Sequence, residues 1–228
     1  MKKRILGRGL AVSLALAFSL MLLTAAIYIP ATADWVMQPL MEHYAPAEVT
    51  RLPAREYGSV VEMITRYLAG EDIPFQHIFT VDGVNCAAFN QKEQHHMADV
   101  QGLFRLCRWG GWFCAGLVIV LAVLLRKDFP WRTVRRTLIA ILAAVTIVII
   151  LACVDFNSLF VLFHRIAFTN DLWLLNPQTD LLIRLMPLEF FISYAAIIGG
   201  IWLLGMVGLL VISTILIRKT KEREGHPT

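Results

Sequence analysis

Residues 89–125 read FNQKEQHHMADVQGLFRLCRWGGWFCAGLVIVLAVLL, and no proline occurs from Ala87 to Lys127. The second half, Leu106–Leu125, is apolar enough to cross a bilayer, since about 20 helical residues at about 1.5 Å each cover about 30 Å of hydrocarbon. The first half carries Glu93, His95, His96 and Asp99. A single helix through both halves would hold titratable groups just beyond a membrane edge. Three further runs have comparable length and character: Leu10–Ile29, Leu138–Leu151 with an apolar extension to Leu159, and Phe191–Ile217.

Composition agrees. The chain has 228 residues, 57% of them apolar, and a mean hydropathy of +0.63, which a soluble domain rarely shows. The sequence predicts an all-α polytopic membrane protein: four transmembrane helices with a small extracytoplasmic cap of short helices. The expected segments are a signal-anchor-like first helix (1–29), a cap that includes a motif helix (30–104), and a second transmembrane helix (105–125). A cytoplasmic loop (126–137), a third transmembrane helix (138–159) and an extracytoplasmic motif segment (160–187) follow. A fourth transmembrane helix (188–217) and a cytoplasmic tail (218–228) complete the chain.

Charge sets the expected orientation. Lys2, Lys3, Arg4 and Arg8, then Arg126, Lys127, Arg132, Arg135 and Arg136, then Arg218, Lys219, Lys221 and Arg223 place thirteen of the 21 basic residues on one side. Only Asp128, Glu222 and Glu224 of the 17 acids accompany them. The positive-inside rule makes that side cytoplasmic, both termini included. The net charge of +4 is then a topology signal, and basic residues clustered at span ends argue against a nucleic-acid partner. Ala31-Thr32-Ala33 resembles a signal cleavage site, but the apolar run before it exceeds a usual signal core, which favours retention as an anchor. Cys86, outside, has no obvious partner; Cys107, Cys114 and Cys153 lie in or beside spans. All four read as free or structural.

Within the cap, Pro30, Pro39, Pro46, Pro53 and Pro74 divide the chain into short pieces. Glu56–Leu68 places Val60, Val61, Ile64, Tyr67 and Leu68 at helical spacing, with Gly70 as the stop. Ile78–Val84 reads as a strand or hairpin around Asp82-Gly83. Ala195/Gly199 and Ala196/Gly200 are small-xxx-small pairs expected to pack within the molecule.

On the motif helix, Glu93, His96, Val100 and Leu103 share a face, and Asp99 can reach either His95 or His96. His95 points about 100 degrees away from His96, toward solvent. Gly110-Gly111 is the expected flexible point. Counted back from Leu125, His96 lies about 13 Å beyond the outer hydrocarbon edge, and counted upward from Leu138 along the third span, whose outer edge falls near Asn157, His164 lies about 10 Å further along. Both then reach the layer of lipid glycerol esters. The second outer segment, FHRIAFTNDLWLLNPQTD (Phe163–Asp180), carries a turn at Asn170-Asp171, Trp173 as an interfacial anchor, and Asn176-Pro177 as a helix start. Leu181–Met186 should form a short helix before Pro187. Asp155 and Glu189, near span ends, read as partners of this cluster or as plain interfacial groups.

Either histidine alone would read as an ordinary interfacial side chain. Together with Glu93, Asp99, Asn170, Asp171 and Asp180 they suit proton transfer near neutral pH. Glu93-x-x-His96 has metal-ligand spacing, but there is one such pair only, and neither G-x-S-x-G nor H-E-x-x-H occurs, so no metal and no cofactor is assigned. A non-catalytic lipid-binding or sensor protein, and an interfacial metal-dependent hydrolase, fit the same residues.

FNQKEQHHMADV and the later FHRIAFTNDLWLLNPQTDLLIRLMP resemble the signature blocks of the bacterial lipoprotein intramolecular transacylases, and the four-span layout is similar too. His95 and Lys92 depart from the pattern. The resemblance implies a membrane enzyme that moves the sn-2 acyl chain of a diacylglyceryl-modified lipoprotein to the α-amino group of its N-terminal cysteine, leaving the lyso form. It implies His96 as base, oriented by Glu93 or Asp99, and His164 as acid or oxyanion stabiliser, the two roles being exchangeable. Asn170 or Trp173 would donate hydrogen bonds.

Overall fold

The computed structural model describes residues 2–50, 52–81, 83–127 and 129–225. In chain order these form α1 (Lys2–Ala31), α2 (Asp34–Tyr44), α3 (Ala47–Thr50), a 3₁₀ turn (Ala54–Glu56), α4 (Tyr57–Ala69), β1 (Ile78–Val81), β2 (Val84–Ala87) and α5 (Gln91–Leu125). There follow α6 (Trp131–Val154), α7 (Phe156–Ala167), α8 (Leu181–Leu185) and α9 (Leu188–Gly225). Helices α1, α5, α6 and α9 contain stretches long and apolar enough to cross a membrane, and the protein is membrane-integral.

The chain folds as two compact units. One comprises Met1–Ala26, Trp109–Val154 and Ile198–Thr228. Its core is Ala11, Ala15, Leu121, Leu138, Trp202 and Met206, with small residues on α1 meeting bulky ones from the other helices. The Trp202 indole donates to the Ser19 carbonyl at 3.1 Å, so this buried polar group is satisfied. Ile119, Val120, Val123, Leu124, Ile147, Ile150 and Leu204 are exposed, which for helices of this kind means a surface suited to lipid.

Glycine acts here through close approach. A Cβ on Gly111 would stand 2.8 Å from Thr24 Oγ1, and one on Gly205 would stand 2.6 Å from Leu22 Cδ1. Helix α5 runs unbroken through Gly110-Gly111. The expected packing at Ala195/Gly199 and Ala196/Gly200 is not found, because a Cβ on Gly199 or Gly200 meets nothing within 4 Å.

The third span also differs from expectation. Helix α6 begins at Trp131 and ends at Val154, so 138–159 is not one helix. Asp155 leaves helical geometry (φ −151, ψ 85), and its carboxylate accepts the Ser158 backbone N–H, capping α7. A short carboxylate that binds the backbone three residues on competes with helix continuation. The height counted for His164 along a continuous third helix therefore does not hold, and Asp155 serves as a cap.

The second unit comprises Ile27–Arg108 and Asp155–Ile197. Helix α4 buries Val60, Val61, Ile64, Tyr67 and Leu68, as its periodicity demands, against a core that includes Met37, Met41, Phe75, Phe89, Leu185 and Phe190. Gly70 ends it in the left-handed region (φ 90). The last carbonyls of α4 receive donors from elsewhere: Tyr67 from Gln101 Nε2 at 2.8 Å, and Ala69 from Arg108 Nη1 at 2.8 Å and the Tyr28 hydroxyl at 3.1 Å. Strands β1 and β2 pair antiparallel, Ile78 opposite Ala87 and Val81 opposite Val84, with Gly83 at φ 78; Asp82 lies outside the described residues.

Asn176-Pro177 does not start a helix. Asn176 Oδ1 accepts the Gln178 N–H at 3.0 Å and its carbonyl accepts the Asp180 N–H at 2.8 Å, closing a turn, and α8 begins only at Leu181.

Ile64 is fully buried on α4, whereas Glu62 on the same helix is exposed. Ile64→Ala should destabilise the protein by about 2–5 kcal/mol, and Glu62→Ala by no more than about 0.5 kcal/mol. Unfolding temperatures of the two variants in one detergent check this ordering.

Candidate active site

The site grows from the start of α5. The Asn90 N–H donates to Glu93 Oε2 at 2.8 Å, and the Glu93 N–H donates to Asn90 Oδ1 at 3.1 Å, a reciprocal capping box. The other Glu93 oxygen accepts the Leu182 N–H, in the first turn of α8, at 2.6 Å. Asn90 Nδ2 donates to Asp180 Oδ1 at 2.9 Å, and Asp180 Oδ2 accepts the Asn176 N–H at 2.7 Å. Lys92 Nζ donates to the Leu174 carbonyl. Glu93 and Asp180 are both buried, and with Asn90 they clasp the head of α5 to residues 174–182.

Glu93 therefore does not orient His96. Helical side chains lean toward the N-terminus, so a carboxylate at 93 reaches back to the helix start rather than forward to 96. Asp99 does not hydrogen-bond His96 either; its Oδ2 accepts Asn170 Nδ2 at 2.9 Å, while Asn170 Oδ1 accepts the Leu172 N–H at 3.1 Å. These bonds tie α5 to the loop after α7. His95 is exposed, as expected. Glu189 lies in the first turn of α9.

His96 on α5 and His164 on α7 come together, their ring centroids 6.2 Å apart. Both are buried, at 7% and 8% exposure. Phe168 lies against both rings, at 5.2 Å from His96 and 5.6 Å from His164. Phe160 (4.2 Å), Trp173 (5.0 Å) and Phe163 (5.3 Å) complete the housing of His164. Trp173, expected as an interfacial anchor, is thus a wall of the site.

The two imidazoles differ in how they are held. His164 Nδ1 is 2.7 Å from the Phe160 carbonyl, one turn back on α7. A carbonyl only accepts, so Nδ1 carries the hydrogen, and in the neutral ring Nε2 keeps the lone pair. Burial lowers the pKa of His164 below its usual value of 6.5, against a smaller upward pull from the Phe160 carbonyl. His96 Nδ1 is buried, and among the described residues it has no hydrogen-bond partner that would pin its tautomer.

A cavity of about 340 Å³ shares two walls with the housing of His164. Phe168 and Trp173 line it, as do Arg165, Asn170 and Asp171. Among the described residues no three His, Cys, Asp or Glu side chains are grouped to hold a metal ion. Sequence reasoning missed Asn90 and the ring contributed by Phe160. Both had a signal: Asn-x-x-Glu is a capping-box spacing, and Phe160 precedes His164 by one helical turn.

The family model described as "Lipoprotein intramolecular transacylase Lit" matches residues 12–191. The fold is similar to that of the membrane integral lipoprotein intramolecular transacylase Lit from Bacillus cereus, with a TM-score of 0.79 and 19% identity over 95% of this chain and 98% of that one. A histidine-to-arginine variant of that protein matches with a TM-score of 0.79 and 17% identity, over 97% of this chain and 96% of that one. Its histidine-to-alanine counterpart gives the same score and identity, over 96% and 97%. No curated protein matches by sequence.

Replacing Glu93 by Gln puts an amide N–H₂ against a backbone N–H while keeping the side-chain shape. Glu93→Gln should lower stability by about 1–3 kcal/mol, read as a fall in unfolding temperature. A variant as stable as the parent would contradict the clasp.

Proposed function

The chain belongs to the lipoprotein intramolecular transacylase Lit family and is an acyltransferase of the membrane, and from that premise we propose the reaction and the residues that perform it. The substrate is a diacylglyceryl-modified lipoprotein held by membrane lipid. The enzyme moves its sn-2 acyl chain to the α-amino group of the N-terminal cysteine, giving the lyso form. The distribution of basic residues supports a multi-pass protein of the bacterial cytoplasmic membrane with both termini cytoplasmic and the histidines near the outer leaflet.

The observation that carries this reading is the pair of buried imidazoles, from α5 and α7, with centroids 6.2 Å apart, packed on Phe168 and Trp173, which also line a cavity. Amine and ester belong to one substrate, so the attack is intramolecular and has a high effective molarity. The ammonium first gives up a proton to the medium. The free amine then adds to the ester carbonyl, and its second proton passes to His96. The C–O bond to glycerol breaks, and the departing oxygen takes a proton as the amide forms. His164, with Nδ1 committed to the Phe160 carbonyl, shares that proton through Nε2 or steadies the developing charge. Two buried rings this close resist holding two positive charges, which suits a pair that passes on a single proton. Asp99 and Asn170 position the loop that bears Trp173, while Glu93 and Asp180 hold the head of α5 in place.

Expression in cells that make diacyl lipoproteins, followed by mass spectrometry of lipoprotein N-termini, tests the reaction: the parent protein yields N-acyl, S-monoacylglyceryl termini. His96→Ala and His164→Ala, at normal protein levels, should each reduce conversion by about 10²–10⁴-fold. Unchanged termini with the parent protein would refute the reaction.

The pH dependence has a definite sign. The pKa of His164 is depressed, so its neutral form persists below the ordinary value of 6.5. Corrected for the fraction of free amine, which falls below the ordinary α-amino pKa of about 8, activity should hold through pH 6.5 and fall only at lower pH, as should the stability that comes from keeping this ring neutral. A rate profile at several pH values, with a melting curve at each, checks both.

A further inference from the structure

The arginines at 132, 135, 136 and 218 have so far served only as a count for topology. In the unit that contains them they converge. Arg132, Arg135 and Arg136, from the first turns of α6, and Arg218, from the far end of α9, line a cavity of about 380 Å³ with Thr214 and Ile217. Among the described residues none of the four forms an ion pair. Arg135 Nε is buried and has no hydrogen-bond partner there.

The positive-inside rule accounts for the number of cations but not for this arrangement. Topology is satisfied by cations that spread into water, where like charges lie apart. Here four guanidinium groups share one concavity, and an N–H of one has left solvent without a protein acceptor. That costs free energy which an anion could return. Guanidinium presents a planar fork of donors that matches phosphate oxygens in pairs, and the N-terminal end of α6 adds the favourable end of its dipole. The cavity lies where two apolar spans end, and basic pockets between spans at such a level accept lipid head groups.

We propose that this cavity binds a phosphate-bearing anion, with Arg135 as its central contact and Arg132, Arg136 and Arg218 as the charged rim. An anionic phospholipid head group and free inorganic phosphate share that chemistry. The proposal shares no residue with the histidine pair and does not depend on the transacylase reading.

The test uses the delipidated full-length protein in dodecyl maltoside. Phosphatidylglycerol, phosphatidylcholine, inorganic phosphate and chloride at matched ionic strength are titrated separately. Unfolding temperature is followed, and bound lipid is counted by native mass spectrometry. The expected result is saturable stabilisation by phosphatidylglycerol with one retained lipid, and little effect of phosphatidylcholine or chloride. If inorganic phosphate stabilises as well, the phosphate group alone suffices; if it does not, the lipid is the ligand. Arg135→Gln should weaken the affinity at least 10-fold, as should the exposed pair Arg132→Gln/Arg218→Gln, which keeps the test open should the first variant fold poorly. Arg126→Gln, exposed and outside the cavity, should bind like the parent. Absence of saturable binding by both phosphate sources would overturn the proposal. So would equal loss of binding in Arg126→Gln, which would reduce the effect to general surface charge.

Discussion

The bond from His164 Nδ1 to the carbonyl of Phe160 sets the chemistry of the site. A helix carbonyl accepts hydrogen bonds and never donates, so it chooses the tautomer of the ring without choosing a protonation partner on the other side. Phe160 and His164 lie one turn apart on α7, so the bond closes within a single helix, and Asp155 caps the start of the helix that carries both.

The other imidazole depends on a different device. His96 is held by its position on α5, and the head of α5 is held by Asn90, Glu93 and Asp180. Burying those carboxylates costs desolvation, which backbone N–H donors offset. Carboxylates engaged with backbone N–H groups and the Asn90 amide hold shape, which leaves the imidazoles to move protons. Asp99 and Asn170 link α5 to the loop after α7, so the two histidine-bearing segments are joined by a polar contact as well as by Phe168.

Much of this was legible in the sequence. Four apolar runs, the amphipathic α4 with its glycine stop and the turn at Gly83 all follow from periodicity and turn chemistry, whereas His96 and His164 were joined by a height count that assumed an unbroken third helix and by the resemblance of their two sequence blocks. What failed had physical causes. The third span looked continuous because hydropathy barely registers one aspartate, whereas a helix cap needs only one. Glu93 was put on the face of His96 by residue spacing, which ignores the backward lean of helical side chains. The close approach of Thr24 to Gly111 has no signature in hydropathy or spacing. The aromatic enclosure of His164 was harder to see, since Phe168 and Trp173 lie in a loop without a period to place them.

The most direct test is ¹⁵N NMR of the full-length protein labelled at histidine, recorded near pH 7 in detergent and assigned with His96→Ala and His164→Ala. The account predicts a neutral His164 ring with its proton on Nδ1 and an unprotonated Nε2. A ring with its proton on Nε2, or an imidazolium at that pH, would contradict it, since the site would then lack the acceptor that the Phe160 carbonyl leaves in place.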